Sequence, residues 1–170
     1  MTYVGIDPGL DGALAEIHDD GFIAIFDTPT LTIQSGKKKK RKYNIAIIAD
    51  LFHAHYNHEE GKVRVGIESQ HSMPAQGVAS VFSLGEGYGI WQGLIVAYAL
   101  PLTYVTPQAW KKALMAGMPK EKDASVLRAS QLFPKIANQL VTPRGRKLHG
   151  RADALLIAYY LKNLLEGDAK

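Results

Sequence analysis

Cysteine is absent from this chain of 170 residues. Without a thiol the chain cannot form a disulfide, use a cysteine nucleophile or hold zinc through thiolate ligands. No stretch of about 18 residues is free of polar breaks, so the sequence predicts no membrane-spanning helix. The N-terminus also lacks the charged and apolar segments of a secretion signal. These absences predict a cytoplasmic or nucleoid-associated protein, located in the host cytoplasm if a phage encodes it.

The composition is that of an ordinary globular protein rather than a disordered or fibrous one. Hydrophobic residues make up 46% of the chain and charged residues 21%, which is close to the usual balance for a folded domain. A chain of this length can bury one substantial core. No linker or internal repeat divides it, so we predict a single domain over residues 1–170.

The net charge is only +4, but the positive residues are concentrated in two places. Such patches attract polyanions by neutralising phosphates and releasing counterions, although solvated surface loops have the same composition. The candidate DNA-binding cations are Lys37, Lys38, Lys39, Lys40, Arg41 and Lys42 in an unbroken run, and Arg144, Arg146, Lys147 and Arg151 in a later cluster.

The apolar pattern predicts strands first and then helices that alternate with shorter strands. The predicted strands cover 2–7, 13–18, 22–26, 63–68 and 101–105, and the first three form an antiparallel meander. The predicted helices cover 44–56, 77–100, 107–115, 120–132 and 150–165, with Asn44 and Thr106 as N-caps. The basic segment 28–42 is predicted to be a mobile loop. This order indicates an α/β fold with a mixed central β-sheet of about five strands, flanked by α-helices.

Three acidic residues stand where a ligand could be bound. Asp7 and Glu68 end predicted strands, where each could also be an ordinary turn or surface residue. Asp153 lies three and four residues before the apolar stripe of the last helix, hence on its inward face. A carboxylate on that face costs several kcal/mol unless it is paired or holds a metal. Three such acids at one sheet edge would repel one another, and Mg²⁺ relieves that repulsion and supports two-metal phosphodiester hydrolysis.

These residues occur in motifs that resemble RuvC-type Holliday-junction resolvases of the RNase H-like superfamily. Between the acidic motifs, two further segments are similar to a branch of this family found in phages, bacteria and organelles. The acidic motifs are Gly5-Ile6-Asp7-Pro8-Gly9 with Gly12-Ala13, Ile67-Glu68, and Ala152-Asp153-Ala154-Leu155-Leu156-Ile157-Ala158; the intervening ones are Gly87-Tyr88-Gly89-Ile90-Trp91 and Val105-Thr106-Pro107-Gln108-Ala109-Trp110-Lys111. The resemblance implies an RNase H-like nuclease domain.

The resemblance also implies a homodimer that binds a four-way DNA junction and nicks two opposing strands with two Mg²⁺ ions per active site, Mn²⁺ being a possible substitute. Asp7, Glu68 and Asp153 match three metal-binding catalytic acids of the family. His149 stands where a fourth acid is expected. An imidazole there could ligate a metal or transfer a proton, or it could cap the helix or contact a phosphate.

Three further features are less specific. Lys111 follows Trp110 on a helix and is a weaker candidate for DNA contact. The loop 69–76 contains Met73, which by analogy could wedge between bases at the junction, or the loop could be plain surface. A face of small residues on the long predicted helix favours packing on the chain's own sheet, with a partner subunit as the alternative; it consists of Gly85, Gly89, Gly93 and Ala97.

Three other functions compete with junction cleavage. A ribonuclease acting on RNA–DNA hybrids can use the same fold. An actin-like ATPase or sugar kinase has a similar phosphate loop, but it needs two lobes and a much longer chain. A catalytically silent junction-binding protein would have lost a carboxylate, whereas Asp7, Glu68 and Asp153 are all present. The sequence therefore favours the nuclease.

Overall fold

A computed structural model describes residues 1–36, 38–57, 61–72 and 74–167 of the chain. The strands are β1 (Thr2–Asp7), β2 (Ala13–His18), β3 (Ile23–Asp27), β4 (Thr30–Ser35), β5 (Lys38–Tyr43), β6 (Val63–Glu68) and β7 (Leu102–Val105). The helices are α1 (Ile45–Tyr56), α2 (Val78–Ala97), α3 (Pro107–Leu114), α4 (Ala124–Leu132) and α5 (His149–Glu166), and a 3₁₀ helix covers Pro134–Leu140.

Five strands form the central sheet in the order β3-β2-β1-β6-β7. The first three pair antiparallel as a meander, while β6 pairs parallel to β1 and β7 pairs parallel to β6. The predicted α/β fold with a mixed five-stranded sheet and flanking helices is therefore confirmed. None of the helices in the described ranges is long and apolar enough to cross a membrane.

Local sequence signals place three of the helix ends. The side chains of Asn44 and Thr106 accept hydrogen bonds from backbone amides three residues later, which confirms both predicted N-caps. The last helix ends at Gly167, whose φ of 84° is the left-handed conformation that glycine adopts readily. The predicted helix 120–132 begins later, at Ala124, and the 3₁₀ helix was not predicted.

The segment predicted to be a mobile loop, residues 28–42, is instead a β-hairpin. Strands β4 and β5 pair antiparallel and form a two-stranded sheet of their own, which we call the basic ribbon. The prediction was wrong because a run of like-charged residues hides the two-residue alternation by which strands are recognised. The alternation is present on β4, where Leu31 and Ile33 project to the same face as Lys40 and Lys42 across the pair.

Helices cover both faces of the central sheet. On one face, Val4 and Ile6 of β1 pack with residues of α1 and α2, including Phe52 and Trp91. On the other face, α5 lies directly on β1. A Cβ at Gly5 would be 2.1 Å from the Ala154 carbonyl oxygen, so only glycine allows this approach.

The small-residue face of α2 does not pack on the sheet, contrary to our prediction. Gly85, Gly89 and Gly93 are exposed, and a Cβ at any of them would have no heavy atom within 4 Å. The buried residues of this helix are Gly87, Trp91 and Ile95, which are offset by two positions and so lie on the opposite side. The packing stripe and the glycine stripe have the same four-residue spacing, and only the three-dimensional fold distinguishes them.

Candidate active site

Asp7 and Glu68 lie on neighbouring strands at the same edge of the sheet. Strands β1 and β6 run parallel, with Gly5 opposite Gly66 and Ile6 opposite Ile67. The next residue on each strand is therefore one of the two acids, and both side chains are partly buried. One oxygen of Asp7 accepts a hydrogen bond from the backbone amide of Gly9 at 3.3 Å.

Helix α5 brings Asp153 to these two acids because glycines let the helix approach the sheet and the loop after β1. Beside the Gly5 contact, a Cβ at Gly150 would be 2.1 Å from the Asp11 carbonyl oxygen. Asp153 lies between these two points. Its Oδ1 atom is buried and has no hydrogen-bond partner, while the side chain of Ser125 on α4 lowers the pKa of the carboxyl.

The pKa values show that the three carboxylates influence one another. Burial, together with the charges of Asp153 and Glu68, raises the pKa of Asp7 from 3.8 to about 7. Burial also raises the pKa of Asp153, which the nearby Glu68 increases and the Ser125 hydrogen bond and Lys111 decrease. The structure therefore gathers the three predicted acids into one electrostatically coupled cluster, which we call the acidic cluster.

The acidic cluster suits a divalent cation chemically. Within residues 1–36, 38–57, 61–72 and 74–167, no three His, Cys, Asp or Glu side chains are arranged closely enough to form a complete metal site. However, Asp153 presents a buried oxygen without a partner, and such an atom costs free energy unless something binds it. Hard carboxylate oxygens are the ligands that Mg²⁺ prefers. Asp7, Glu68 and Asp153 are accordingly the candidate metal ligands.

Glu68 is held by a donor on each carboxylate oxygen. The indole Nε1 of Trp110 donates to Oε1 at 2.9 Å, and the amide Nε2 of Gln70 donates to Oε2 at 3.0 Å. Sequence reasoning identified Trp110 only as part of a family motif. It did not identify this contact, because the two residues are 42 positions apart and no local pattern joins them.

His149 is the first residue of α5 and lies beside the acidic cluster. Its Nε2 atom is 3.3 Å from Oδ1 of Asp123, just before α4. A positive charge on this imidazole lowers the pKa of Asp153, so the two side chains are within electrostatic reach. The side chain therefore bridges two helices next to the site, and a role in binding metal or moving a proton stays a prediction.

The base of the basic ribbon is attached to the loop that follows β1. Tyr43 is buried, and its hydroxyl donates to the Pro8 carbonyl at 3.2 Å. Arg41 donates from Nη1 to the Asp11 carboxylate at 2.6 Å, and its Nη2 donates to the Leu10 carbonyl. One end of the ribbon is thus attached to the loop that follows Asp7.

The cations of the ribbon differ in their surroundings. The side chains at 38–40 are exposed. Lys42 instead pairs with Glu86 of α2 at 2.9 Å and lies 5.6 Å from the centre of the Phe82 ring. Arg41 and Lys42 therefore have protein partners, and residues 38–40 are the exposed part of the run. Lys37 and Met73, both predicted to contact DNA, lie outside the described residues.

The second basic cluster surrounds a cavity next to His149. Arg144, Arg146 and Lys147 are exposed in the segment that leads into α5. The last two line a cavity of about 820 Å³ together with His149 and the turn after β1. Arg146 and Lys147 are therefore placed in the same cavity as His149, and contact of the three cations with DNA stays a prediction.

Arg151 is already bound within the protein. Its guanidinium makes two hydrogen bonds to the Asp27 carboxylate, at 2.6 and 2.7 Å, and a third to the Gln139 carbonyl at 2.8 Å. This contact fastens the start of α5 to the end of β3 and lowers the pKa of Asp27. Arg151 thus has partners within the protein, and its predicted contact with a phosphate stays a prediction.

Comparison with known structures identifies the fold. The structure of T. thermophilus RuvC in complex with Holliday junction substrate matches 100% of this chain and 99% of its own, with a TM-score of 0.57 and 16% identity. A second Thermus thermophilus RuvC structure has the same coverage, a TM-score of 0.54 and 18% identity. The chain therefore has the RNase H-like fold, in the form that RuvC has.

Comparison of sequences indicates the particular group of proteins. The chain is 36% identical over 86 residues to Holliday junction resolvase MOC1, chloroplastic, from Chlamydomonas reinhardtii. That match covers 51% of this chain but only 9% of the algal protein. No protein-family model matches the chain. Together with the fold, this similarity confirms the resemblance to RuvC-type Holliday junction resolvases that the motifs indicated.

Proposed function

We propose that this chain is a metal-dependent endonuclease that resolves four-way DNA junctions. The observation that carries the proposal is the acidic cluster, in which two strand ends and one helix place three carboxylates together and one of their oxygens is buried without a partner. The RuvC fold and the local similarity to a Holliday junction resolvase support four-way junctions as the substrate. Two hydrophobic cores, both of which include residues of the central sheet, bring the helices and the sheet together, which supports a single nuclease domain over residues 1–170.

The proposed reaction is hydrolysis of a phosphodiester bond on each of two opposing strands. Asp7, Glu68 and Asp153 would hold two Mg²⁺ ions, with His149 as a further ligand or proton carrier. When bound, such ions supply a hydroxide nucleophile and stabilise the leaving 3′-oxygen. The exposed cations beside the cluster would hold the sugar–phosphate backbone in position, since phosphate contacts orient a substrate without reading its sequence.

The experiment that tests the proposal is cleavage of a labelled synthetic four-way junction in Mg²⁺ and in Mn²⁺. A linear duplex and an RNA–DNA hybrid serve as competing substrates, and Asp153→Asn serves as the inactive control. We expect paired nicks near the branch point in the wild type and none in the variant. Cleavage of the hybrid alone would indicate a ribonuclease, and tight junction binding without cleavage would indicate an architectural protein; either result contradicts the proposal.

Exposed lysines of the basic ribbon are expected to bind DNA phosphates. Changing Lys38 and Lys40 to Gln should weaken junction binding and lower the slope of log affinity against log salt by about 2, because each phosphate contact contributes about 0.9. Fluorescence anisotropy across a salt series measures this slope. Lys62→Gln with Arg64→Gln, at the end of β6 remote from Glu68, is the matched control. Equal slopes in the two double variants would contradict a role for the ribbon.

The proposed homodimer would use the exposed face of α2. Alongside the three glycines, this face carries apolar side chains that are mostly exposed: Val78 at 87%, Phe82 at 68% and Val96 at 69%. Large exposed apolar patches mark interaction sites, and two-fold symmetry would match a substrate with two equivalent cut sites.

Placing a charge on this face is expected to separate the subunits. Gly89→Glu should convert a dimer to a monomer in sedimentation velocity. It should not unfold the helix, because glycine is the poorer helix former by about 0.5–1 kcal/mol. Leu165→Glu, at an exposed apolar position on α5, is the control and should leave the dimer intact. A Gly89→Glu protein that remains dimeric would exclude α2 as the interface.

A further inference from the structure

The carboxylate of Glu68 is the member of the acidic cluster whose two oxygens both have side-chain donors. The two donors differ in burial. Gln70 lies in a partly exposed loop and follows Glu68 by two residues. Trp110 comes from a different element and is fully buried. The buried donor is therefore the one that can fix where the carboxylate lies.

Several features of α3 immobilise the Trp110 side chain. The helix begins with the side-chain cap of Thr106 and with Pro107 in its first turn, and these hold the first turn in a defined place. The Trp110 ring belongs to a core that includes Leu114 and residues of α5. Its N–H is thus a rigidly mounted donor that points at Glu68 from the interior of the protein.

The chemistry of indole makes this donor unambiguous. The indole nitrogen only donates a hydrogen bond, so the Glu68 oxygen it contacts must accept one. The contacts from Trp110 and Gln70 occupy one acceptor site on each oxygen, and about two sites remain because an ionised carboxylate has about four. Partners of this kind orient metal-binding carboxylates and typically change metal affinity 10–100-fold when they are removed.

We propose that Trp110 is a positioning residue, whose indole N–H orients the Glu68 carboxylate for the bound metal. The inference rests on the proposed function, because it takes Glu68 to be a metal ligand. It adds that the metal affinity of the site depends on a buried side chain that lies outside the acidic cluster. If Trp110 only filled the core, the loss of its N–H would not change the metal affinity of the site.

The chain contains a matched control for this distinction. Trp91 is the other tryptophan, it is equally buried, and its Nε1 atom has no hydrogen-bond partner. Changing either tryptophan to phenylalanine removes the same atoms from a fully buried position. Only the change at Trp110 removes a hydrogen bond to the acidic cluster, so the difference between the two variants reports that bond.

The test measures Mn²⁺ binding by electron paramagnetic resonance, without DNA, in the wild type, Trp110→Phe and Trp91→Phe. Thermal unfolding in EDTA is followed in parallel. We expect Trp110→Phe to weaken Mn²⁺ binding about tenfold or more, and Trp91→Phe to leave it unchanged. The Mg²⁺ concentration for half-maximal junction cleavage should rise by the same factor in Trp110→Phe, with the rate at saturating Mg²⁺ largely retained.

The outcomes separate this inference from the proposed function. Equal Mn²⁺ affinities in the two variants would overturn the role of Trp110 while leaving the nuclease intact. A wild type that binds no Mn²⁺ and cuts no junction would overturn the proposed function, and this inference with it. If Trp110→Phe does not fold, 3-benzothienylalanine at position 110 preserves the bicyclic shape without the N–H. Its Mn²⁺ affinity relative to the wild type then tests the role of the N–H.

Discussion

Replacing Asp7 with asparagine is expected to abolish junction cleavage and, at the same time, to stabilise the metal-free fold above pH 7. Cleavage should fall at least about a thousandfold, the order of loss when a central catalytic group is removed. The gain in stability follows from the burial of Asp7, which together with Asp153 and Glu68 raises its pKa from 3.8 to about 7. Holding an ionised carboxylate in this place costs free energy that asparagine does not require.

The sign of the pH dependence follows from the raised pKa of Asp7. Its stability contribution is fully present below pH 4, where the carboxyl is protonated in both folded and unfolded chains. It is lost as the pH rises to about 7, because the unfolded chain releases this proton first. The pKa of Asp7 differs by roughly three between the folded and the unfolded chain, which corresponds to about 4 kcal/mol. This is the largest gain in stability expected for Asp7→Asn at pH 8 relative to pH 4.

Urea unfolding in EDTA between pH 4 and pH 8 measures this gain. Asp11→Asn is the control, since this carboxylate is exposed on the loop that follows Asp7, and it should show no such gain. Adding Mg²⁺ should stabilise the wild type and leave Asp7→Asn nearly unaffected, because a ligand stabilises only the fold that binds it. An Asp7→Asn protein that is less stable than the wild type at pH 8 in EDTA would contradict the inference that the ionised Asp7 carboxylate destabilises the metal-free fold.

Replacing Gly5 with alanine is expected to prevent stable folding, although only one methyl group is added. A Cβ at this position would lie 2.1 Å from the Ala154 carbonyl oxygen and 2.3 Å from the Ala158 amide nitrogen. Both are backbone atoms of α5, so the helix itself would have to move away from β1. Overpacking of this kind commonly costs 1–3 kcal/mol, and we expect more than about 3 kcal/mol here because no side chain can yield.

The same substitution elsewhere in the chain is the control. Gly93→Ala adds a methyl group on the exposed side of α2, where no heavy atom lies within 4 Å. It should be neutral or stabilising by about 0.5–1 kcal/mol, because alanine is the better helix former. Urea unfolding of both variants gives the comparison. Equal stability would show that α5 does not approach β1 as closely as the structure indicates, and the placement of Asp153 would be in doubt.

Local patterns predicted the elements that local forces decide. The N-caps at Asn44 and Thr106 depend on side chains three residues from their partners, and the apolar stripe of α5 depends on a period of 3.6 residues. The same reasoning identified Asp153, because an acid on an inward helix face needs a partner wherever the helix packs. Asp7 and Glu68 were recognised largely through their motifs, since a strand-end acid alone is not diagnostic.

Patterns that local forces do not decide were misread. The lysine run of the basic ribbon lacks alternation, so its strands were predicted to be a loop. The glycine stripe at 85, 89 and 93 has the same period as the buried stripe beside it, and periodicity cannot say which side meets the sheet. In both cases the answer depends on which distant residues are available to pack against the segment.

The sequence by itself determined the class of this protein: an α/β nuclease-like fold with three acids in a recognisable order and most helix ends in place. Only the tertiary structure decided what surrounds those acids. It placed the Trp110 indole on Glu68 across 42 residues and fastened Arg151 to Asp27 across 124. Such partners are selected by the packing of whole elements, whereas caps and stripes are selected by neighbours along the chain. The three acids can therefore be predicted from the sequence, whereas their hydrogen-bond partners from distant elements cannot.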